Sequence, residues 1–195
     1  MASGIWHWDT VHPRWNIRVH SYYLSDERVV IDPMLPAEGL DWFAEHGVPT
    51  DVLLTNRHHY RASSDFVARF GVTVRCARPG MHEFQKDEVV EPFDFGDELS
   101  GGVIAYEVGS LCPDETAFFI PARRALALAD GAVRWEDGGA LAFVPDNLMD
   151  EPEQTKDGLR AAYRRLADLE FDHLLLAHGA PFTGNGRETL AAFAA

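Results

Sequence analysis

The stretch that carries most information about this chain is DVLLTNRHHYR, residues 51–61. Its first half, DVLLT, predicts a short buried strand, because three consecutive aliphatic side chains are bounded by polar residues. Its second half is a polar loop rich in histidine and arginine. Since the end of a buried strand holds loop side chains on a rigid base, this position favours a functional site.

Two later segments repeat the pattern, ALALADG (125–131) and HLLLAHG (173–179). Asp130 is the one charge on an otherwise apolar strand, and His178 stands against a glycine. Two histidines and a carboxylate from three strand ends suit one zinc, iron or manganese ion and leave a position open for water. Taken alone, an Asp before Gly is more often a turn residue, and a lone His is more often a hydrogen-bonded structural residue.

The rest of the chain predicts a mixed α/β fold. Apolar, β-rich runs predict strands, and apolar residues at spacings of three and four predict helices. The predicted strands are 17–24, 28–33, 51–55, 71–77, 103–109, 116–122, 125–130 and 172–179, and the predicted helices are 36–47, 64–71, one that begins at Asp157 and a short one at the C-terminus. Two β-rich halves with helices attached favour two sheets packed face to face with helices outside, a four-layer α/β/β/α sandwich.

Length and composition limit the class of protein. A chain of 195 residues buries roughly 70% of its unfolded surface, so residues 1–195 are predicted to form a single domain. The formal charge of -14 repels phosphate, which argues against nucleic acid and anionic membrane surfaces as partners. No apolar run approaches the ~20 residues of a spanning helix, and no signal peptide is expected. With two cysteines in all, the sequence fits a reducing, cytoplasmic compartment.

Four segments occur in a defined order: VHSYYLSDERVVIDPM (19–34), LLTNRHHYR (53–61), ALALADG (125–131) and LLLAHGAP (174–181). In order and separation they resemble the metallo-β-lactamase fold superfamily over nearly the whole chain. The first is similar to its opening strands, which end in an Asp-containing turn, here Asp32. The others are similar to its Thr-His-x-His-x-Asp-His motif, its bridging carboxylate segment and its final Gly-His-Gly turn. The resemblance implies an α/β fold of the four-layer α/β/β/α sandwich type, metallo-β-lactamase-like.

The histidine motif of the superfamily is incomplete in this chain. Aligned on Thr55, its first histidine position is Asn56 and its second is His58. Its aspartate position is Tyr60, and its third histidine position is Arg61. The last of these puts a fixed positive charge where the resemblance would place a metal ligand.

A later histidine position of the superfamily is also missing. The segment GSLCPD (109–114) offers Leu111 or Ser110 there, and neither side chain is an imidazole. The resemblance therefore implies that His58, Asp130 and His178 are the ligand positions kept. These are too few for two metal ions, since a catalytic zinc normally has three protein ligands.

The first hypothesis for function is a divergent protein that has lost the dinuclear zinc centre and needs no cofactor. Such a protein is non-catalytic or binds a small polar molecule in the old pocket. Arg61 then forms an ion pair with Asp130 and replaces the metal. The expected pocket residues are Asn56, His59, Ser110, Cys112 and Asp32.

The second hypothesis is a hydrolase of an ester, thioester, lactam or phosphoester that uses a single metal on His58, Asp130 and His178. The metal lowers the pKa of bound water, and Arg61 or Tyr60 stabilises the developing oxyanion. His58 and His59 are adjacent, so on an extended segment only one of them faces a given metal. His59 joins the site if the local backbone departs from the extended form.

Overall fold

The computed structural model describes residues 3–85, 87–136 and 138–195. The first half of the chain forms a six-stranded sheet whose strands lie side by side in chain order. They are β1 (Ile5–Val11), β2 (Arg18–Leu24), β3 (Val29–Ile31), β4 (Asp51–Leu53), β5 (Thr73–Ala77) and β6 (Val90–Phe93). From β3 to β6 the neighbouring strands are parallel, and the pairs β1–β2 and β2–β3 are antiparallel.

The second half forms another six-stranded sheet and a small two-stranded ribbon. Its strands are β7 (Glu98–Leu99), β8 (Val103–Glu107), β9 (Thr116–Ile120), β10 (Ala125–Leu128), β11 (Ala132–Val133), β12 (Ala142–Phe143), β13 (His173–Leu176) and β14 (Phe182–Thr183). The sheet order is β14-β13-β10-β9-β8-β7, and β11 pairs with β12 in the ribbon. Within the sheet, β10 and β13 are parallel neighbours.

The two sheets pack face to face, and side chains alternate between the inner and outer faces of their strands. In β3, Val29 and Ile31 lie in the core between the sheets, while Val30 faces the other way. In β13, Leu175 joins the same inner core, while its two leucine neighbours face the other way. Apolar residues on both faces explain why these strands read as continuous hydrophobic runs in the sequence.

Helices cover the two outer faces. They are α1 (Phe43–His46), α2 (Ser63–Phe70), α3 (Pro152–Leu166) and α4 (Gly186–Phe193). Phe43 and Phe66 bring α1 and α2 onto the first sheet. Leu159 and Leu190 bring α3 and α4 onto the second. The predicted α/β/β/α order of layers is therefore confirmed.

Two of the predicted helices differ from the structure. The segment 36–47 is helical only from Leu40, as a single 3-10 turn followed by the four residues of α1. Gly39 has a φ of 73°, outside the helical region, and so separates Pro36 from the helix. The helix predicted to begin at Asp157 begins five residues earlier, at Pro152, because proline is well suited to the first turn.

Within the described ranges, no helix has both the length and the apolar character needed to cross a bilayer. Neither cysteine forms a disulfide: Cys76 is buried in the first sheet, and Cys112 is partly exposed.

Candidate metal centre

The ends of four strands meet at one edge of the sandwich. Strands β3 and β4 are parallel neighbours in one sheet, and β10 and β13 are parallel neighbours in the other. Two hydrogen bonds join the sheets at this edge: the His20 amide donates to the Ala177 carbonyl (2.9 Å), and the Thr116 amide donates to the Thr55 carbonyl (2.8 Å). Polar residues that follow these strands are therefore brought together from distant parts of the sequence.

Three of those residues converge on one point. The Nε2 atom of His59 lies 3.0 Å from Oδ1 of Asp130, and Nε2 of His178 lies 2.9 Å from the same oxygen. One potential ligand atom from each residue lies within 4.8 Å of those of the other two. In the described part of the chain this is the one group of three or more His, Cys, Asp or Glu residues that meets this spacing.

The two oxygens of Asp130 have different surroundings. Oδ2 accepts a hydrogen bond from Nδ2 of Asn56 at 2.9 Å. Oδ1 is buried and has no hydrogen-bond partner of acceptable geometry among the described residues, although two imidazole nitrogens lie close to it. A buried acceptor without a partner is costly. Two imidazole nitrogens close to an unpartnered carboxylate oxygen are an arrangement that a metal ion satisfies.

A second layer of hydrogen bonds orients His59. Its Nδ1–H donates to Oδ2 of Asp32 at 2.9 Å. Asp32 also accepts from the Thr55 amide (2.8 Å) and from the Thr55 hydroxyl (2.6 Å). A carboxylate on Nδ1 fixes the imidazole tautomer that leaves the Nε2 lone pair free for a metal.

Charges in this cluster are strongly coupled. Burial opposes ionisation of Asp32, but His59, Arg61 and Thr55 together hold the pKa of its carboxyl below the usual range. Burial likewise opposes ionisation of Asp130, but His59 and His178 hold its pKa well below the usual range. Burial and Arg61 act to lower the pKa of His59, but the two carboxylates prevail and raise it to about 9. A cation at this centre therefore competes with a proton on His59.

The structure selects His59 and not His58 for this cluster. Residues Arg57–His59 form a 3-10 turn, and the Oδ1 atom of Asn56 caps it by accepting the His58 amide at 2.9 Å. The turn directs His59 into the interior and leaves His58 exposed. The predicted ligand set of His58, Asp130 and His178 is corrected accordingly: two of its members converge, and the third position is taken by His59.

Arg61 lies beside the cluster but is not paired with Asp130 within salt-bridge distance, so that expected ion pair is absent between these described residues. Its Nη1 atom donates to the carbonyl oxygens of His20 and Asp32, both at 3.0 Å. Its Nη2 atom is buried and has no hydrogen-bond partner among the described residues. The φ angle of Arg61 is 45°, and that of Asp32 is 50°. Left-handed backbone at two non-glycine residues in contact is the kind of strain that accumulates at functional sites.

Tyr60, Ser110 and Cys112, which the sequence also predicts for the site, do not join the cluster. The Tyr60 ring packs near Phe84, with 6.0 Å between ring centroids. The Ser110 hydroxyl donates to the Val108 carbonyl at 3.3 Å. Burial, aided by Glu115 and Asp114, raises the pKa of the Cys112 thiol, which makes it a poor nucleophile.

Sequence reasoning missed two carboxyl residues that support the site. Asp114 and Glu115 are fully buried immediately before β9. Asp114 binds Arg57, and Glu115 accepts a hydrogen bond from the Gly131 amide. In the sequence, acidic residues after a proline look like an ordinary exposed turn, so no local signal marks them as buried.

The three converging residues differ in exposure. The His59 side chain is 5% exposed, whereas those of His178 and Asp130 are 12% and 22% exposed. The cluster is thus closed on the His59 side and partly exposed on the other. Structural zinc sites are closed by four protein ligands, whereas catalytic sites keep a position open for water or substrate.

Comparison with known proteins supports the fold. No family model and no curated protein matches the chain. Among solved structures it is similar to a metallo-β-lactamase family protein from Thermus thermophilus, with 16% identity over 98% of this chain and 78% of that one and a TM-score of 0.67. It is similar to TTHA1623, solved in a di-iron-bound form, with 18% identity over 96% and 93% of the two chains and a TM-score of 0.64. It also matches the flavodiiron protein from Giardia intestinalis, with 19% identity over 99% of this chain and 57% of that one and a TM-score of 0.68. The chain therefore has the metallo-β-lactamase fold.

Proposed function

We propose that this protein binds one divalent metal ion at His59, Asp130 and His178 and is a metal-dependent hydrolase. The observation that carries the proposal is the Oδ1 atom of Asp130, which is buried, has no hydrogen-bond partner among the residues that the structure describes and lies within 3.0 Å of two imidazole nitrogens. Two imidazoles and one carboxylate are a donor set that suits zinc, iron and manganese.

A single ion fits this chain better than a pair. Arg61 and Asn56 occupy two positions at which the superfamily motif described above has histidines. Neither side chain serves as a metal ligand at these positions. Arg61 adds a permanent positive charge, which opposes a second cation nearby. Asn56 instead donates to Asp130 and leaves Oδ1 of that carboxylate directed at the imidazoles.

The ion, when bound, supplies Lewis acidity and lowers the pKa of its bound water. Residues of the chain orient the ligands, admit the substrate and stabilise its developing charge. Asp32 fixes the orientation of His59, and the partly exposed side of the cluster, at Asp130 and His178, admits the substrate. In this proposal the positive charge of Arg61, which lies beside the cluster, stabilises negative charge that develops on the substrate. Esters, thioesters, lactams and phosphoesters all develop such charge on hydrolysis.

A second candidate, a metal-free protein that binds a small polar ligand, is favoured by a different observation. His59 lies between two carboxylates, with Nδ1 2.9 Å from Asp32 and Nε2 3.0 Å from Asp130. With a proton on both nitrogens, His59 and Arg61 together balance the charges of the two carboxylates without a metal. In this candidate the protein has lost the dinuclear metal centre of the superfamily and binds no metal in its place.

A substrate panel on metal-free and metal-loaded protein tests the main proposal. The protein is stripped with a chelator, reloaded separately with zinc, iron(II) and manganese, and assayed with chromogenic esters, thioesters, lactams and phosphoesters. We expect hydrolysis of at least one class with one metal, its loss after chelation and in Asp130→Ala, and its retention in His58→Asn.

Hydrolysis that survives chelation contradicts the proposal, and so does equal loss in His58→Asn. Absence of hydrolysis by every metal-loaded form, together with metal well below one equivalent, supports the ligand-binding candidate.

A further inference from the structure

Two adjacent carboxyl residues outside the ligand set are completely buried. Asp114 and Glu115 have no exposed surface and stand immediately before β9, in the turn that leads into the strand. Carboxyl groups are rarely buried unless other groups partner them, because transfer out of water is costly. Each of the two accepts a hydrogen bond from a segment that carries a proposed metal ligand, and Glu115 also accepts one from the Leu111 amide at 3.4 Å.

Asp114 holds the segment that carries His59. Its Oδ2 atom accepts a hydrogen bond from the Arg57 amide at 2.6 Å, and its Oδ1 atom forms an ion pair with the Arg57 guanidinium. Arg57 is the first residue of the 3-10 turn that directs His59 inward. The hydrogen bond from the Thr116 amide to the Thr55 carbonyl ties the same two segments together at 2.8 Å.

Glu115 holds the segment that carries Asp130. Its Oε1 atom accepts a hydrogen bond from the Gly131 amide at 2.8 Å. The turn has no spare room, because a Cβ atom on Gly131 would lie 2.4 Å from the Tyr163 hydroxyl and 2.8 Å from Oε1 of Glu115. The buried side chains of Glu115 and Tyr163 thus restrict the backbone position of Gly131, the residue next to Asp130.

We infer that Asp114 and Glu115 are positioning residues that set the spacing between His59 and Asp130. They are consecutive in the chain, so one short segment contacts both the turn that carries His59 and the turn that follows Asp130. The inference rests on the proposed metal site. Groups that orient metal ligands typically change metal affinity about 10- to 100-fold when they are removed.

Cobalt(II) binding to the full chain tests this inference, because the visible spectrum of cobalt reports coordination geometry and needs no substrate. Two variants of similar size are compared with the wild type. Glu115→Gln keeps an oxygen for the Gly131 amide, whereas Glu115→Met removes it. We expect Glu115→Met to bind cobalt about 10- to 100-fold more weakly and with an altered spectrum, and Glu115→Gln to restore both the affinity and the spectrum.

Asp114→Asn, which keeps a side-chain oxygen, and Asp114→Ala, which removes it, give the same comparison for the segment that carries His59. These two variants test the inference if Glu115→Met does not fold. Folding is checked by circular dichroism before each titration. Cobalt binding by folded Glu115→Met or Asp114→Ala with wild-type affinity and spectrum overturns the inference alone. Failure of the wild type to bind cobalt overturns the proposed metal site and the inference with it.

Discussion

At the scale of single residues, the turn at 56–59 decides which imidazole reaches Asp130. The Asn56 side chain caps this turn, and His59 points inward while His58 stays exposed. We predict that His59→Asn abolishes stoichiometric zinc binding and that His58→Asn leaves it unchanged. Equilibrium dialysis followed by metal analysis measures both. Loss of zinc in His58→Asn would show that the other imidazole is the ligand.

Arg61 has two opposing effects, one on metal affinity and one on the stability of the metal-free protein, and Arg61→Met tests both. Arg61→Met removes a buried positive charge near the cluster, so zinc affinity should rise by roughly tenfold. The same change removes one donor from each of the carbonyl oxygens of His20 and Asp32, although Asp32 keeps the Ser21 hydroxyl, so the metal-free protein should lose about 1–3 kcal/mol of stability.

Zinc titration and urea unfolding of metal-free Arg61→Met measure the two effects. Arg69→Met is the control, because Arg69 is half exposed and its ion pair lies on the surface of α2. Weaker zinc binding in Arg61→Met would contradict the charge argument.

At this scale the sequence predicts which residue types form the cluster, but it does not predict which of the adjacent residues His58 and His59 joins it. Asp130 and His178 both follow strands, and their side chains lie 2.9 Å apart in the structure. The choice of His59 over His58 depends on a single 3-10 turn, which is held by the Asn56 cap and by Asp114 from a distant segment. The resemblance favours His58, whereas the local pattern leaves open which of the two adjacent imidazoles faces the site.

At the scale of elements, α3 packs against the turn at Gly131, next to Asp130. Leu159 is fully buried in the outer core, and its side chain packs against the turn at Gly131. We predict that Leu159→Ala lowers the free energy of unfolding by about 2–5 kcal/mol, because it leaves a cavity in that core. Denaturant unfolding measures the loss.

The exposed Glu153 lies in the first turn of the same helix. Glu153→Ala is the matched control and should change stability by less than about 0.5 kcal/mol. Equal losses in the two variants would contradict the assignment of Leu159 to the core.

Buried strands were predictable from the apolar pattern, whereas short strands such as β6, β7 and β14 have no counterpart among the predicted ones. Continuous apolar runs such as residues 51–55 and 125–130 mark strands that are buried on both faces, and the structure has strands there. The boundaries of α1 and α3 were wrong, because Gly39 and Pro152 set them through backbone conformation and not through the apolar pattern.

At the scale of the whole molecule, Glu115 makes stability depend on pH. Burial raises its pKa from 4.5 to about 8, so between these values the unfolded chain releases a proton that the folded chain keeps. The contribution of Glu115 to the free energy of unfolding therefore falls as pH rises through this window, by at most about 1.4 kcal/mol per pH unit.

We predict that Glu115→Gln, which cannot ionise, gains stability relative to the wild type as pH rises from 5 to 8. Urea unfolding at several pH values measures the difference for metal-free protein. Parallel pH profiles for the two proteins would contradict a protonated Glu115.

The layer order of the molecule was predictable, and its long-range contacts were not. Four ordered segments resembled one fold superfamily, and the structure confirms the four layers and the fold. The buried pairing of Asp114 with Arg57 joins residues far apart in sequence. Such contacts depend on how two sheets meet, which no local pattern records.

Elemental analysis shows whether one metal ion binds at His59, Asp130 and His178. Tag-free protein is purified without chelator and dialysed against a trace of zinc, iron and manganese. We predict about one equivalent of a single metal in the wild type, as expected for a single three-ligand site, and its loss in His178→Ala. Metal well below one equivalent under every condition would contradict the proposed metal site and leave a pocket whose charges are balanced by Arg61 and a protonated His59.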